Sequence, residues 1–304
     1  MVNDAPRLLL TGKDGQLGFE LARSLAPLGS LHMYGRAECD LADVAAVGQL
    51  LDRVRPQIIV NAAAYTAVDR AESEPDRAHA VNATVPALLA AWASRHDALL
   101  VHYSTDYVFD GRGATPWSEG ATAAPLSVYG ASKLAGDQAI ADSGCRHLIL
   151  RTGWVYGVHG GNFAKTILRL AAERDVLSVV ADQRGTPTAA ALLADVTGLL
   201  LRDYLRNRIG FPDGLYHLAA AGETSWHGYA QAIVAGAWAR GMRLRLQPSE
   251  IRPIASVDYP QVATRPAYSV LDSRYLCGTF GLVLPDWRHH LAQVLDTVCA
   301  PLSR

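Results

Sequence analysis

Cysteine is scarce in this chain: Cys39, Cys145, Cys277 and Cys299 are scattered along 304 residues and never fall in a C-x-x-C spacing. Neither a disulfide framework nor a zinc site is suggested, and four reduced, mostly buried thiols are expected. An excess of charge of one sign is also missing. Lys and Arg number 28 against 29 Asp and Glu, a formal net charge of −1. No basic surplus points to nucleic acid or to an anionic membrane surface, so neither is expected as a partner. No uninterrupted apolar run reaches the roughly 18 residues of a membrane span. The stretch Met1 to Arg7 lacks the charged and apolar segments of a signal peptide. A soluble, cytoplasmic protein is the expectation. Repeats and Ser/Gly linkers are missing as well. His289 and His290 are adjacent, so on a helix they diverge by about 100° and make no metal pair.

What the chain does have is apolar residues in a recurring order. Hydrophobic residues make up 50% of it, ample for a large core. Short apolar runs occur at Leu8 to Thr11, Leu31 to Tyr34, Ile58 to Asn61, Leu99 to Ser104, His147 to Thr152 and Ser178 to Val180. They lack period-2 alternation, as strands covered on both faces do. Helical patterns lie between them near 16–27, 43–53, 75–95, 128–142 and 162–173, and again near 189–205 and 225–240. Strand–helix alternation of this kind predicts an α/β, Rossmann-type doubly wound parallel sheet. Beyond about residue 175 the pattern loosens into loops rich in Pro, Gly and Arg. Residues 1–175 are therefore expected to form an NAD(P)-binding domain. Residues 176–304 would form mainly a smaller substrate-binding lobe, its segments interleaved with the first domain.

Two patterns carry chemistry. Gly12, Gly15 and Gly18 follow the first strand in a G-x-x-G-x-x-G spacing and lead through Gln16 and Leu17 into a helix. Such a turn brings backbone close to a pyrophosphate, and the helix N-terminus offers free N–H groups and a positive dipole end. A dinucleotide is expected there. The second strand ends His32-Met33-Tyr34-Gly35-Arg36, with no acid at its tip to hold a ribose 2′-hydroxyl. Arg36 would instead meet a 2′-phosphate, which predicts NADPH, with NADH the second choice. Asn61-Ala62-Ala63-Ala64-Tyr65 places small side chains at the end of the third strand, a shelf for a flat cofactor. Tyr129 and Lys133 stand four apart, on one face of a predicted helix. A fixed cation beside a phenol lowers its pKa and suits it to proton exchange with a carbonyl oxygen. Taken alone, the spacing fits a surface pair equally well.

In order along nearly the whole chain these motifs resemble the extended short-chain dehydrogenase/reductases, in the branch that reduces dTDP-linked 4-keto-6-deoxy sugars. The matching stretches are Gly12 to Gly18, Asp40-Leu41, Val60 to Glu74, His102 to Phe109, Tyr129 to Leu134, Arg151 to Tyr156, Asn162 to Thr166 and Gln183 to Thr188. Tyr259-Pro260, Arg265-Pro266 and Leu284 to Trp287 follow. The resemblance implies NADPH-dependent reduction of the C4 ketone of dTDP-4-dehydro-6-deoxy-L-mannose to dTDP-L-rhamnose. It implies Tyr129 as the acid, Lys133 as the holder of the nicotinamide ribose and Thr105 as the third catalytic residue. It places Asp40, Leu41, Ala63, Ala64 and Tyr65 with the glycine turn at the cofactor. Thr105, Asp106, Trp154, Asn162 and Arg265 fall at the dTDP-sugar. Some relatives form a dimer bridged by magnesium through glutamates. Here Glu20 matches one such position, but the others read Ala191 and Asp296, so no metal is expected, and a monomer or a homodimer without a magnesium bridge is. Two rival readings remain: a reductase of another dTDP-4-keto-6-deoxy sugar, and a non-catalytic regulatory subunit of the same fold.

Overall fold

The computed structural model describes residues 5–300. Five short strands arise where the apolar runs fall: β1 Arg7–Thr11, β2 Ser30–Tyr34, β3 Ile58–Asn61, β4 Leu99–Thr105 and β5 Arg146–Thr152. A sixth, β6 Gly214–His217, comes from much later in the chain. All six lie parallel in one sheet ordered β6-β5-β4-β3-β1-β2. Helices cover both faces, which explains the absence of alternation. On one face Leu8, Leu10, Val60, Val101 and Leu148 pack with Leu21 and Leu25 of helix α1 (Gln16–Leu25). On the other, Leu9, Ile59, Leu100 and Ile149 pack with Leu50 and Leu51 of α2 (Val44–Val54) and Leu89 of α3 (Val85–Arg95). Each of these strand residues is essentially fully buried, worth roughly 1.5–3 kcal/mol apiece.

The expected sheet membership needs two corrections. Ser178 to Val180 is a strand, Leu177–Val180, but it pairs in parallel with Ile251–Ile254 away from the main sheet. The place expected for it is taken by β6, which pairs with Leu148 to Arg151 of β5. The helical run near 75–95 is Pro75–His79, one π-helical turn at Ala80–Thr84, and then α3. Of the cysteines, Cys39 and Cys145 are buried, Cys277 and Cys299 are half-buried, and all four are free.

The arrangement fixes where a site forms. Strand β1 lies between β2 and β3, so the connections leaving its neighbourhood run in opposite directions and a crevice opens at the carboxyl ends of the strands. The helix that brings Tyr129 and Lys133 to that crevice is α4, Val128–Ala141. Ser127 starts it, its hydroxyl accepting from the Gly130 N–H at 3.2 Å.

Candidate active site

The glycine turn is shaped by backbone contact. Gly12 has φ +75°, and a Cβ there would lie 2.7 Å from the Ala63 nitrogen at the end of β3. A Cβ on Gly18 would lie 2.0 Å from the Gly12 carbonyl oxygen. Only glycine allows the turn, the shelf and α1 to close on one another. Gly15 begins α1 without a side-chain cap, and no acid occupies the helix's first turn. Its N–H groups are therefore free to bind phosphate.

A cleft of about 880 Å³ opens beside this turn. It is lined by Gly12, Gly15, Gln16 and Leu17, by Arg36, Asp40 and Leu41, and by Ala63, Ala64 and Tyr65. Thr105, Asp106, Tyr129, Lys133 and Trp154 line it as well. One wall thus carries the dinucleotide features and the other the Tyr129–Lys133 face. Three expected residues do not line it. Gly18 packs behind the turn. Asn162 caps the helix Phe163–Glu173, its Oδ1 accepting from Lys165 N–H at 3.0 Å while its amide donates to Gln16 Oε1 at 3.0 Å. Arg265 clasps Asp69 with both guanidinium nitrogens, at 2.7 and 3.1 Å. Arg36 is largely exposed, 3.6 Å from Asp40.

Burial governs the chemistry of the inner wall. The Tyr129 phenol is pushed up to about 12 by burial, opposed by a hydrogen bond with Thr105. The net shift is upward, so the lowering expected from a neighbouring ammonium does not prevail over burial in the protein alone. The lysine itself is drawn down to about 8 by burial, against the pull of Asp137. Its Nζ donates to the Tyr103 carbonyl at 2.6 Å and lies 3.0 Å from His102 Nε2. Asp137, one more helical turn along the same face, accepts from Ser104 at 2.8 Å and from Arg151 at 3.1 Å, both pairs buried. Asp106 is held up to about 6 by burial, against hydrogen bonds from Ser269 and Thr105. Its Oδ2 is buried with no partner.

Several lining residues escaped the sequence reading. Tyr107 packs edge-on to Tyr129, with ring centroids 5.7 Å apart. Trp226 stacks flat on Trp154 at 3.5 Å, so one face of Trp154 is already covered. Arg70 and Arg77 add two cations to the outer wall. Trp226 and Arg77 lie outside every quoted motif. Tyr107 and Arg70 lie inside quoted motifs but were given no role.

A Rossmann-type sheet with a glycine turn, a cofactor shelf and a buried Thr–Tyr–Lys face defines an oxidoreductase of the short-chain dehydrogenase/reductase type. The chain belongs to the RmlD substrate binding domain family, whose model matches residues 6–299. It is 47% identical over 285 residues to a dTDP-4-dehydrorhamnose reductase of Burkholderia thailandensis, covering 93% of this chain and 96% of that protein. It is 46% identical over 294 residues to the enzyme of the same name from Salmonella typhimurium, covering 95% and 96%. Among solved structures, dTDP-4-dehydrorhamnose reductase from Bacillus anthracis in complex with NADP superposes with a TM-score of 0.85 at 34% identity, covering 96% of this chain and 99% of that one.

Asp106 makes a pH-dependent prediction. Its folded pKa is raised, so its contribution to stability is full below the ordinary 3.8 and is lost as pH rises through about 6. Asp106→Asn, neutral throughout, should be more stable than the unsubstituted protein at pH 7 by about 1–3 kcal/mol, with the gap closing near pH 4. Urea unfolding at the two pH values checks this; a gap independent of pH would refute it.

Proposed function

We propose that this protein is an NADPH-dependent dTDP-4-dehydrorhamnose reductase, converting dTDP-4-dehydro-6-deoxy-L-mannose to dTDP-L-rhamnose. The observation that carries the reading is the match to reductases of that name along 93–95% of the chain, together with a Thr105–Tyr129–Lys133 face in the same cleft as the glycine turn. The cradle fits the cofactor. The turn leaves no room for a Cβ at Gly12, the α1 N-terminus is uncapped, and Arg36 stands at the end of β2 for a 2′-phosphate. In this reading residues 1–175 chiefly hold NADPH and residues 176–304 chiefly shape the sugar end, with β6 and Trp226 crossing between the two roles.

When bound, NADPH supplies a hydride to C4 of the sugar. The protein's part is to place the ketone and to move a proton. Tyr129, kept as a neutral phenol by burial, gives its proton to the C4 oxygen. Thr105, which lines the same cleft, bonds that same oxygen and helps hold it in reach of the acid. Lys133 stays as a fixed cation near the nicotinamide ribose and stabilises the phenolate left behind. Asp106 and the Trp154–Trp226 pair bound the sugar. Asn162 contributes by holding Gln16 and the helix Phe163–Glu173 in place. Arg70 and Arg77, which line the cleft, are the cations offered to the nucleotide diphosphate.

The chain acts as a monomer or as a homodimer held without a magnesium bridge, in the cytoplasm. Glu20 is paired with Arg23, Asp296 with Arg240, and position 191 is alanine. Sedimentation should therefore be unchanged by EDTA; dissociation on chelation would contradict this.

Incubation with dTDP-4-dehydro-6-deoxy-L-mannose and NADPH should consume the reduced nicotinamide and give the rhamnose product by NMR. No oxidation of NADPH would remove the reading. Tyr129→Phe should lower kcat by about 10²–10⁴-fold and leave the Kd for NADPH within a few-fold; a fully active variant excludes the role. Arg36→Ala should raise the KM for NADPH by about tenfold or more and change that for NADH little, since only the former carries the 2′-phosphate. Equal effects on both would show that Arg36 does not read it.

A further inference from the structure

Behind Lys133 a line of polar groups runs through the middle of the sheet, and the reaction as described uses none of it beyond the lysine. Lys133 Nζ lies 3.0 Å from His102 Nε2. His102 Nδ1 lies 3.1 Å from Asn61 Nδ2, and Asn61 Oδ1 lies 2.6 Å from Thr11 Oγ1. The four residues come from α4, β4, β3 and β1, and each is at most 1% exposed. A polar chain of this length inside an apolar sheet is costly unless every member is satisfied.

We propose, on the reading of Lys133 given above, that His102 is a positioning residue: its Nε2 accepts a hydrogen bond from the Lys133 ammonium, while Asn61 and Thr11 hold the imidazole in the Nδ1–H tautomer that leaves Nε2 free to accept. The donor and acceptor inventory forces the pattern. An ammonium has three donors and no acceptor, so Nε2 must present a lone pair to it. The proton then sits on Nδ1, where it needs an acceptor, so the proposal includes an Asn61 amide turned end for end from its placement here: Oδ1 accepts from His102 and the NH₂ donates to the Thr11 hydroxyl. The opposite tautomer would aim N–H at an ammonium and is compatible only with a neutral Lys133. The ionisation of the lysine and the tautomer of the histidine are thus one coupled choice, set three strands away from the substrate.

Charges around the pair agree with this assignment. Tyr129 and Asp106 line the same cleft as Lys133; along its own helix the lysine feels Asp137, which is already engaged by Ser104 of β4 and Arg151 of β5. From β4, His102 is held neutral by burial and by the charge of Lys133. His102 and the Tyr103 carbonyl are thus the two acceptors that fix Nζ, and the third N–H is left for the cleft.

His102→Leu removes the acceptor at similar volume, whereas His102→Gln can set an amide oxygen where Nε2 stood. The Leu variant should lose about tenfold or more in kcat, and the alkaline limb of its kcat/KM profile should move down by about one pH unit as the ammonium becomes easier to deprotonate. The Gln variant should restore the limb to within a few tenths of a unit. If both variants lose stability equally and leave the limb in place, His102 is only core filling and the proposal fails. Independently of any activity, ¹⁵N NMR of histidine-labelled protein, with the Gln variant assigning the signal, should find His102 neutral with the proton on Nδ1 from pH 5 to 7. A proton on Nε2, or an imidazolium, overturns the proposal even if the Leu variant does not fold and whatever the sugar proves to be.

Discussion

The structure turns on how a buried ammonium is paid for. Lys133 is 1% exposed, and an ion that deep survives only if acceptors replace its water. Strand β4 supplies two of them, a backbone carbonyl and an imidazole. Asp137 supplies opposite charge from the next turn of the same helix, and that carboxylate is in turn held by Ser104 and Arg151. Arg151 also lies over the Phe109 ring, 5.5 Å from its centroid, so even the counter-ion's partner is tied down. Remove any member and a charge is left in low dielectric. The crossing of α4 over β4 and β5 is therefore fixed electrostatically as well as by packing, and with it the place of Tyr129.

That constraint separates two jobs inside one cleft. The glycine turn, the Ala62 to Ala64 shelf and the open end of α1 are backbone features that accept phosphate and a flat ring with few side chains. The inner wall is all side chain, and its pKa values are set by burial: a phenol kept neutral, a carboxyl made reluctant to ionise, a lysine made easier to deprotonate. The two walls meet only at the strand ends, where the sheet reverses its winding.

Much of this was legible in the sequence for a physical reason. Four strands of the sheet, β1, β3, β4 and β5, are short apolar runs because both faces are covered, and the glycine turn is legible because backbone approach excludes every other residue. β6 was not legible: Gly-Leu-Tyr-His offers one aliphatic residue in four and follows a proline-containing loop. Ser178 to Val180 was legible as a strand but not as to its partner, since periodicity reports burial and not neighbours. At the site, most residues inside contiguous motifs were found, though Tyr107 and Arg70 sat in such motifs without a role. Trp226 and Arg77 were not found, because a lone side chain brought in by tertiary packing leaves no spacing to read. The expected lowering of the Tyr129 pKa does not prevail for a different reason: four residues of helix put two groups on one face, but spacing does not report how deeply the phenol is buried, and burial sets the net shift. Asn162 and Arg265 lie in the motifs expected to hold the sugar-nucleotide. In the fold the first caps a helix and the second clasps Asp69.

The lateness of β6 has a cost during synthesis. Strand β5 pairs with β4 on one side, but its other edge waits for Gly214–His217, dozens of residues further along the chain. At ordinary elongation rates of 5–20 residues per second, the apolar edge of β5 stays unpaired for several seconds after the Tyr129 helix has been made. An open strand edge of this kind is a template for pairing with a second chain. The nascent protein is thus most prone to aggregate when its catalytic helix is complete and its sheet is one strand short, so chain truncations ending between β5 and β6 are the ones most dependent on chaperones.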